Sequence, residues 1–132
     1  MQRIIYISTC RVVPTRELVA DILRTSYRNN MRDGLTGLLV VGGRRFLQVL
    51  EGPDEQLDAA YARIKADSRH FAMVELGRKP ITAREFGDWD MGCRLLTGDN
   101  FEAFVRNITA HVDDADVRAQ FETFVELHRK AA

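Results

Sequence analysis

An α+β fold is what the sequence predicts, with two helices laid over one face of a five-stranded sheet and two further helices on the other. Three observations carry that expectation. Short β-branched and aromatic runs alternate with amphipathic stretches in the order β-α-β-β-α-β, followed by β, α and α. The leading strand runs are apolar on both faces, so a single layer of helices would leave one face wet. A chain of 132 residues makes one domain, with surface enough to bury a core without metal or disulfide staples.

Each element has its own warrant. Gln2–Ser8 (QRIIYIS) is rich in β-branched and aromatic residues and reads as a strand. Thr15 is placed as the N-cap of a helix that runs to about Asn30. Gly34 lies in the turn before a strand at Leu35–Val41, and Gly42-Gly43 is a hairpin signal leading into its partner at Arg45–Glu51. Gly52-Pro53-Asp54 opens a second helix through about Asp67, with Leu57, Ala60, Tyr61 and Ile64 recurring at i, i+3, i+4 and i+7. Ala72–Leu76 reads as a fourth strand and Trp89–Leu95 as a fifth, after a loop at Pro80–Gly87. Two amphipathic helices close the chain, one carrying Phe101, Phe104, Val105 and Ile108, the other Val117, Phe121, Phe124 and Val125. The first six elements match the split βαβ, ferredoxin-like motif. The expectation is that the first and third strands are central, parallel neighbours, with both crossover helices on one face.

Composition excludes several functions. Nineteen basic residues balance nineteen acidic ones. Neither nucleic acid nor a polybasic membrane contact is therefore expected, since both need excess positive charge. No apolar run approaches the ~18 residues of a membrane span, and the N-terminus lacks the apolar stretch of a signal peptide. Cys10 and Cys93 form no C-x-x-C pair. They read as reduced thiols of a cytoplasmic protein, with no metal site.

The informative residues are polar ones on apolar faces. On a helical wheel Leu18, Val19, Ile22 and Leu23 form the buried stripe of the first helix, and Ser26, Asn29 and Asn30 fall on the same stripe. Period-two alternation groups Ile4, Tyr6 and Ser8 on one face of the first strand, and Phe46, Gln48 and Leu50 on one face of the third. Placing both faces under the helices makes Tyr6, Ser26, Asn29, Asn30 and Gln48 converge. An unpaired buried polar group costs ~1–3 kcal/mol, so five would cost roughly 5–15 kcal/mol, about the stability of a domain. Taken singly, each has an ordinary partner: a paired tyrosine hydroxyl, a C-capping asparagine, a buried water. Taken together they favour a planar, polar-edged ligand between the helices, because amides present both donors and acceptors to such an edge.

The segments IIYIS, RNNMRDGLTGLLV, RFLQVLEG, DSRH and PITAREFGDWDM, spread from about residue 2 to residue 95, resemble the BLUF family, blue-light sensors that bind flavin, usually FAD. The resemblance implies a flavin module at 1–95, followed by a helical extension at 96–132 that packs on the sheet within the same domain. By position, Tyr6 resembles the photoactive tyrosine of the family and Gln48 the glutamine between it and the flavin. Asn30, with Asn29 and Ser26 alongside, matches the residues at the flavin carbonyl edge. Asp67, Arg69 and His70 match positions beside the cofactor. Trp89 and Met91 match fifth-strand residues whose placement changes with signalling state. Family members often hold the FAD tail with a basic residue in the loop after the first strand, where this chain has Arg11.

The function so implied is a photoreceptor, without catalytic turnover, whose cofactor is FAD, with FMN or riboflavin as alternatives. Light drives electron and proton transfer from Tyr6 and rearranges the Gln48 hydrogen bonds, and the change passes to an unidentified downstream protein. A homo-oligomer stays open. With about 35 residues after the fifth strand, no output enzyme is expected in the chain. Two rivals remain: a flavin-free regulatory module of the same fold, and an acylphosphatase-like hydrolase nominating Arg11 and Asn30.

Overall fold

The computed structural model describes residues 1–42, 44–85 and 92–95 (the last four by backbone alone), together with 115, 118–120 and 122–124. In chain order these form β1 (Gln2–Cys10), α1 (Arg16–Asp33), β2 (Thr36–Gly42), β3 (Arg45–Gly52), α2 (Asp54–Lys65), β4 (His70–Pro80) and β5 (Gly92–Leu95). Residues 115, 118–120 and 122–124 are helical, within the second predicted C-terminal helix. The first predicted C-terminal helix, at 101–108, lies outside the described residues.

The strands form one sheet in the order β4-β1-β3-β2-β5. β1 and β3 are central neighbours as expected, but their pairing is antiparallel, from Gln2↔Gly52 to Thr9↔Arg45. The parallel expectation fails for a topological reason. The α1 crossover makes β1 and β2 parallel while leaving a gap between them, and β3, which fills the gap, arrives through the β2–β3 hairpin, which reverses it. Only β5 lies parallel to its neighbour, β2. The hairpin is displaced one residue from Gly42-Gly43, since Gly42 is still paired with Arg45.

Local chemistry accounts for the helix ends. The Thr15 side chain accepts the Leu18 N–H at 3.1 Å, capping α1. Gly34 closes α1 at φ 69°, the left-handed conformation a glycine takes without a Cβ penalty. Its N–H and that of Leu35 both return to the Asn30 carbonyl. Asn30 is therefore inside the helix, and the C-cap explanation for it does not hold.

Both helices cover one sheet face. Under α2, Ile4, Tyr6, Leu35, Leu50, Leu57 and Ala60 form a buried cluster. Under α1, Cys10, Leu39, Val41 and Phe46 form another, with Leu18 and Ile22 against it. The opposite face is buried too, through Ile5, Leu38, Val40, Leu47 and Val49, and so is Phe124 in the C-terminal region. On that face Arg3 and Glu51, 3% and 0% exposed, form an ion pair of 2.9 Å. The Glu85 N–H donates to the same carboxylate. Arg84 donates to the Gly34 carbonyl, the Thr36 hydroxyl and the Glu51 carbonyl, tying the segment after β4 to the ends of α1, β2 and β3. No described helix is long and apolar enough to cross a membrane.

Candidate functional site

Between α1 and α2 the sheet floors an open cavity of about 120 Å³. β1 contributes Tyr6 and Ser8, β3 Phe46 and Gln48, and β2 Leu39. α1 lends Ser26, Asn29 and Asn30 to one wall, three positions at i, i+3 and i+4 that a helix brings to one side. Asp67, Arg69 and His70 close the other wall, in the turn after α2 and at the start of β4. Eight of the ten residues singled out from sequence thus share one cavity. Trp89 and Met91 lie outside the described residues.

Tyr6 and Gln48 face each other in the β1–β3 ladder, and the Tyr6 hydroxyl donates to Gln48 Oε1. Burial pushes the Tyr6 phenol far above its usual range, and Tyr61 and Asp67 nearby add to the shift. The ring of Tyr61 meets that of Tyr6 edge-on at 5.8 Å, fixing its plane. On the far wall the Arg69 guanidinium and backbone N–H both donate to Asp67, and this holds the carboxyl below its ordinary range. His70 Nε2 lies 2.6 Å from the Ile64 carbonyl, so that nitrogen carries the proton.

Among the described residues one buried side-chain atom has no partner. Ser8 Oγ, in a residue 1% exposed, makes no hydrogen bond although it lines the cavity. A buried hydroxyl left unpaired is costly, and a polar ligand or water in the cavity is what would satisfy it. Apolar walls from Ile22, Leu39, Phe46 and Ile64 complete a slot suited to a flat, polar-edged ring.

Sequence reasoning passed over Ser8, Thr25 and Arg63, all on the cavity wall. Ser8 shares the Tyr6 parity. Arg63 lies three residues after Ala60, on the rim of the α2 stripe, where a cation reads as solvated. Arg11 is turned elsewhere: its Nε donates to the Ser68 carbonyl at 2.8 Å and its guanidinium stacks over Phe71. Among the described residues no group of side chains is arranged to hold a metal ion.

A family model described as sensors of blue-light using FAD, BLUF, matches residues 1–92. The chain belongs to the BLUF family. Its relatives include the photoactivated adenylate cyclase subunit alpha of Euglena gracilis, 35% identical over 95 residues, which are 72% of this chain and 8% of that protein. Another is the blue light- and temperature-regulated antirepressor BluF of Escherichia coli K12, 37% identical over 84 residues, 64% of this chain and 21% of the relative. The chain thus spans a small part of the curated relatives it matches. The dark-state structure of BlrB, a BLUF protein, superposes with a TM-score of 0.74 at 29% identity, covering 95% of each chain. As a BLUF protein the chain is a flavin-binding blue-light sensor, and its helix-covered, largely antiparallel sheet superposes on that structure.

Proposed function

We propose that the cavity holds FAD, with FMN or riboflavin as alternatives, and that Tyr6 and Gln48 are the pair that light rearranges. The observation that carries this reading is the Tyr6–Gln48 hydrogen bond in a cavity that has the amides of Asn29 and Asn30 on one wall. Asn29, Asn30 and Ser26 would hold the polar edge of the ring, while Asp67, Arg69 and His70 line the other wall. A bound flavin supplies the blue absorption band and an excited state able to take up and return an electron and a proton.

Tyr6 is the donor in this chain. Its raised phenol pKa keeps the proton on Tyr6 until an electron is taken, and the hydrogen bond to Gln48 Oε1 would give that proton a path away. Gln48 accepts through its oxygen. Turning the amide, or moving its proton between oxygen and nitrogen, exchanges donor for acceptor and leaves a different bond pattern when Tyr6 regains its hydrogen. Trp89 and Met91, which precede β5 in the sequence, are proposed to carry the change onward. β5 pairs with β2, whose Leu39 lines the cavity opposite Cys93 in the ladder. The receiver is a downstream protein effector, and residues 96–132 serve as the layer over the far sheet face.

The test is spectroscopic. Protein reconstituted with FAD is expected to turn yellow and to shift its absorption to the red after blue light, reverting in darkness. Tyr6→Phe and Gln48→Ala should keep the colour and lose the shift. A normal shift in either variant would sink the assignment, and a colourless protein after reconstitution would return the choice to the flavin-free and hydrolase rivals.

A further inference from the structure

The cations on the cavity wall differ in how far they are already engaged. Arg69 is held by Asp67 through Nε, Nη2 and its backbone N–H, so its charge is matched and its geometry set. His70 is tied to the Ile64 carbonyl. Arg63 stands apart. Its ion pair is with Asp33, at 3.5 Å, and that carboxylate is already gripped by Arg32 through Nε at 2.8 Å and Nη2 at 3.0 Å. Two guanidiniums against one carboxylate leave one positive charge in surplus where α2 faces the end of α1. The Arg63 side chain is 43% exposed and lines the cavity, so it can turn towards a ligand without leaving a buried partner behind.

We infer that Arg63 is the residue by which this site recognises the phosphate of a phosphorylated flavin, and so discriminates FMN and FAD from riboflavin. The inference rests on the flavin reading above and deepens it. The ring is uncharged, so the amide wall serves all three flavins alike. Only the tail differs, and its phosphate oxygens are the acceptors that a guanidinium fork meets with two parallel hydrogen bonds. Arg11 is engaged at Ser68 and Phe71 and does not line the cavity. The phosphate contact therefore comes from the α2 side of the opening.

The experiment titrates flavin-free protein with riboflavin, FMN and FAD at two salt concentrations, following the quenching of flavin fluorescence. Wild-type protein is expected to bind the phosphorylated forms roughly tenfold or more tightly than riboflavin, with the preference narrowing as salt rises. Arg63→Gln should bring FMN and FAD down to the riboflavin affinity and leave riboflavin itself unchanged, while Arg63→Lys should keep part of the preference. An unchanged FMN-to-riboflavin ratio in Arg63→Gln would overturn the inference while leaving the flavin reading intact. Equal loss for all three flavins would overturn it too, by showing a structural role. Failure of every flavin to bind the wild type would overturn both.

Discussion

Ser8 carries a cost in the ligand-free protein that Tyr6 does not. Both point into the cavity from β1, yet Tyr6 donates to Gln48 while the serine oxygen has no partner. Replacing an unsatisfied buried hydroxyl by hydrogen removes a desolvation penalty. Ser8→Ala is therefore expected to stabilise the flavin-free protein by about 1 kcal/mol in urea unfolding, while flavin binding weakens. A variant that lost stability without ligand would show that the hydroxyl is satisfied by water. At this scale the site was legible because polar residues broke apolar periodicities: Asn29 and Asn30 on the α1 stripe, Gln48 between Phe46 and Leu50. Arg63 was harder to see, since a cation on a helix rim reads as solvated unless the neighbouring helix is in view.

At the scale of elements, the helices were readable almost to their ends, because Thr15 and Gly34 are caps with known stereochemistry. The sheet edge was less so. β4 runs six residues beyond Ala72–Leu76, and its pairing with β1 is broken between Ile5 and Tyr6 and again between Ile7 and Thr9. Bulges defeat period-two reading, so alternation cannot say which β4 residues face the core. Ala72, at φ 52°, sits in this irregular stretch. In β2 the decisive residue is Gly37, where an added Cβ would come within 2.0 Å of the Val49 carbonyl oxygen. Because that obstacle is backbone, β2 and β3 would have to part. Gly37→Ala should cost at least about 2 kcal/mol in chemical unfolding and reduce flavin retention, since β3 holds Gln48. Wild-type stability in that variant would mean that the strands lie farther apart.

For the whole molecule, the far sheet face holds what sequence reading could not anticipate. Arg3 and Glu51 sit at strand ends, where charge ordinarily means solvent, yet both are buried, with Glu85 of the segment after β4 against them. Arg3 also meets Glu85 at 3.5 Å, so Arg3→Met, which takes the cation from both carboxylates, should cost about 3–5 kcal/mol and Glu51→Gln less. The double variant should cost less than the two combined, by about 1 kcal/mol or more, in a double-mutant cycle of urea midpoints. Strict additivity would show that the charges act independently. The topology itself was legible from element order and loop lengths. The strand polarity was misjudged because a helical crossover sets the direction of the strands it joins and says nothing of the one between them.

The β1–β3 ladder pairs Tyr6 with Gln48 and Arg3 with Glu51 in a single register. The members lie three positions apart on each strand, an odd number, so the first pair faces the cavity and the second the opposite face. A slip of β1 by one residue would turn the phenol away from the cavity and Arg3 toward it, breaking both partnerships at once. The alignment on which the site depends is therefore checked twice, by a neutral pair above the sheet and a charged pair below it, and an error in one is an error in the other.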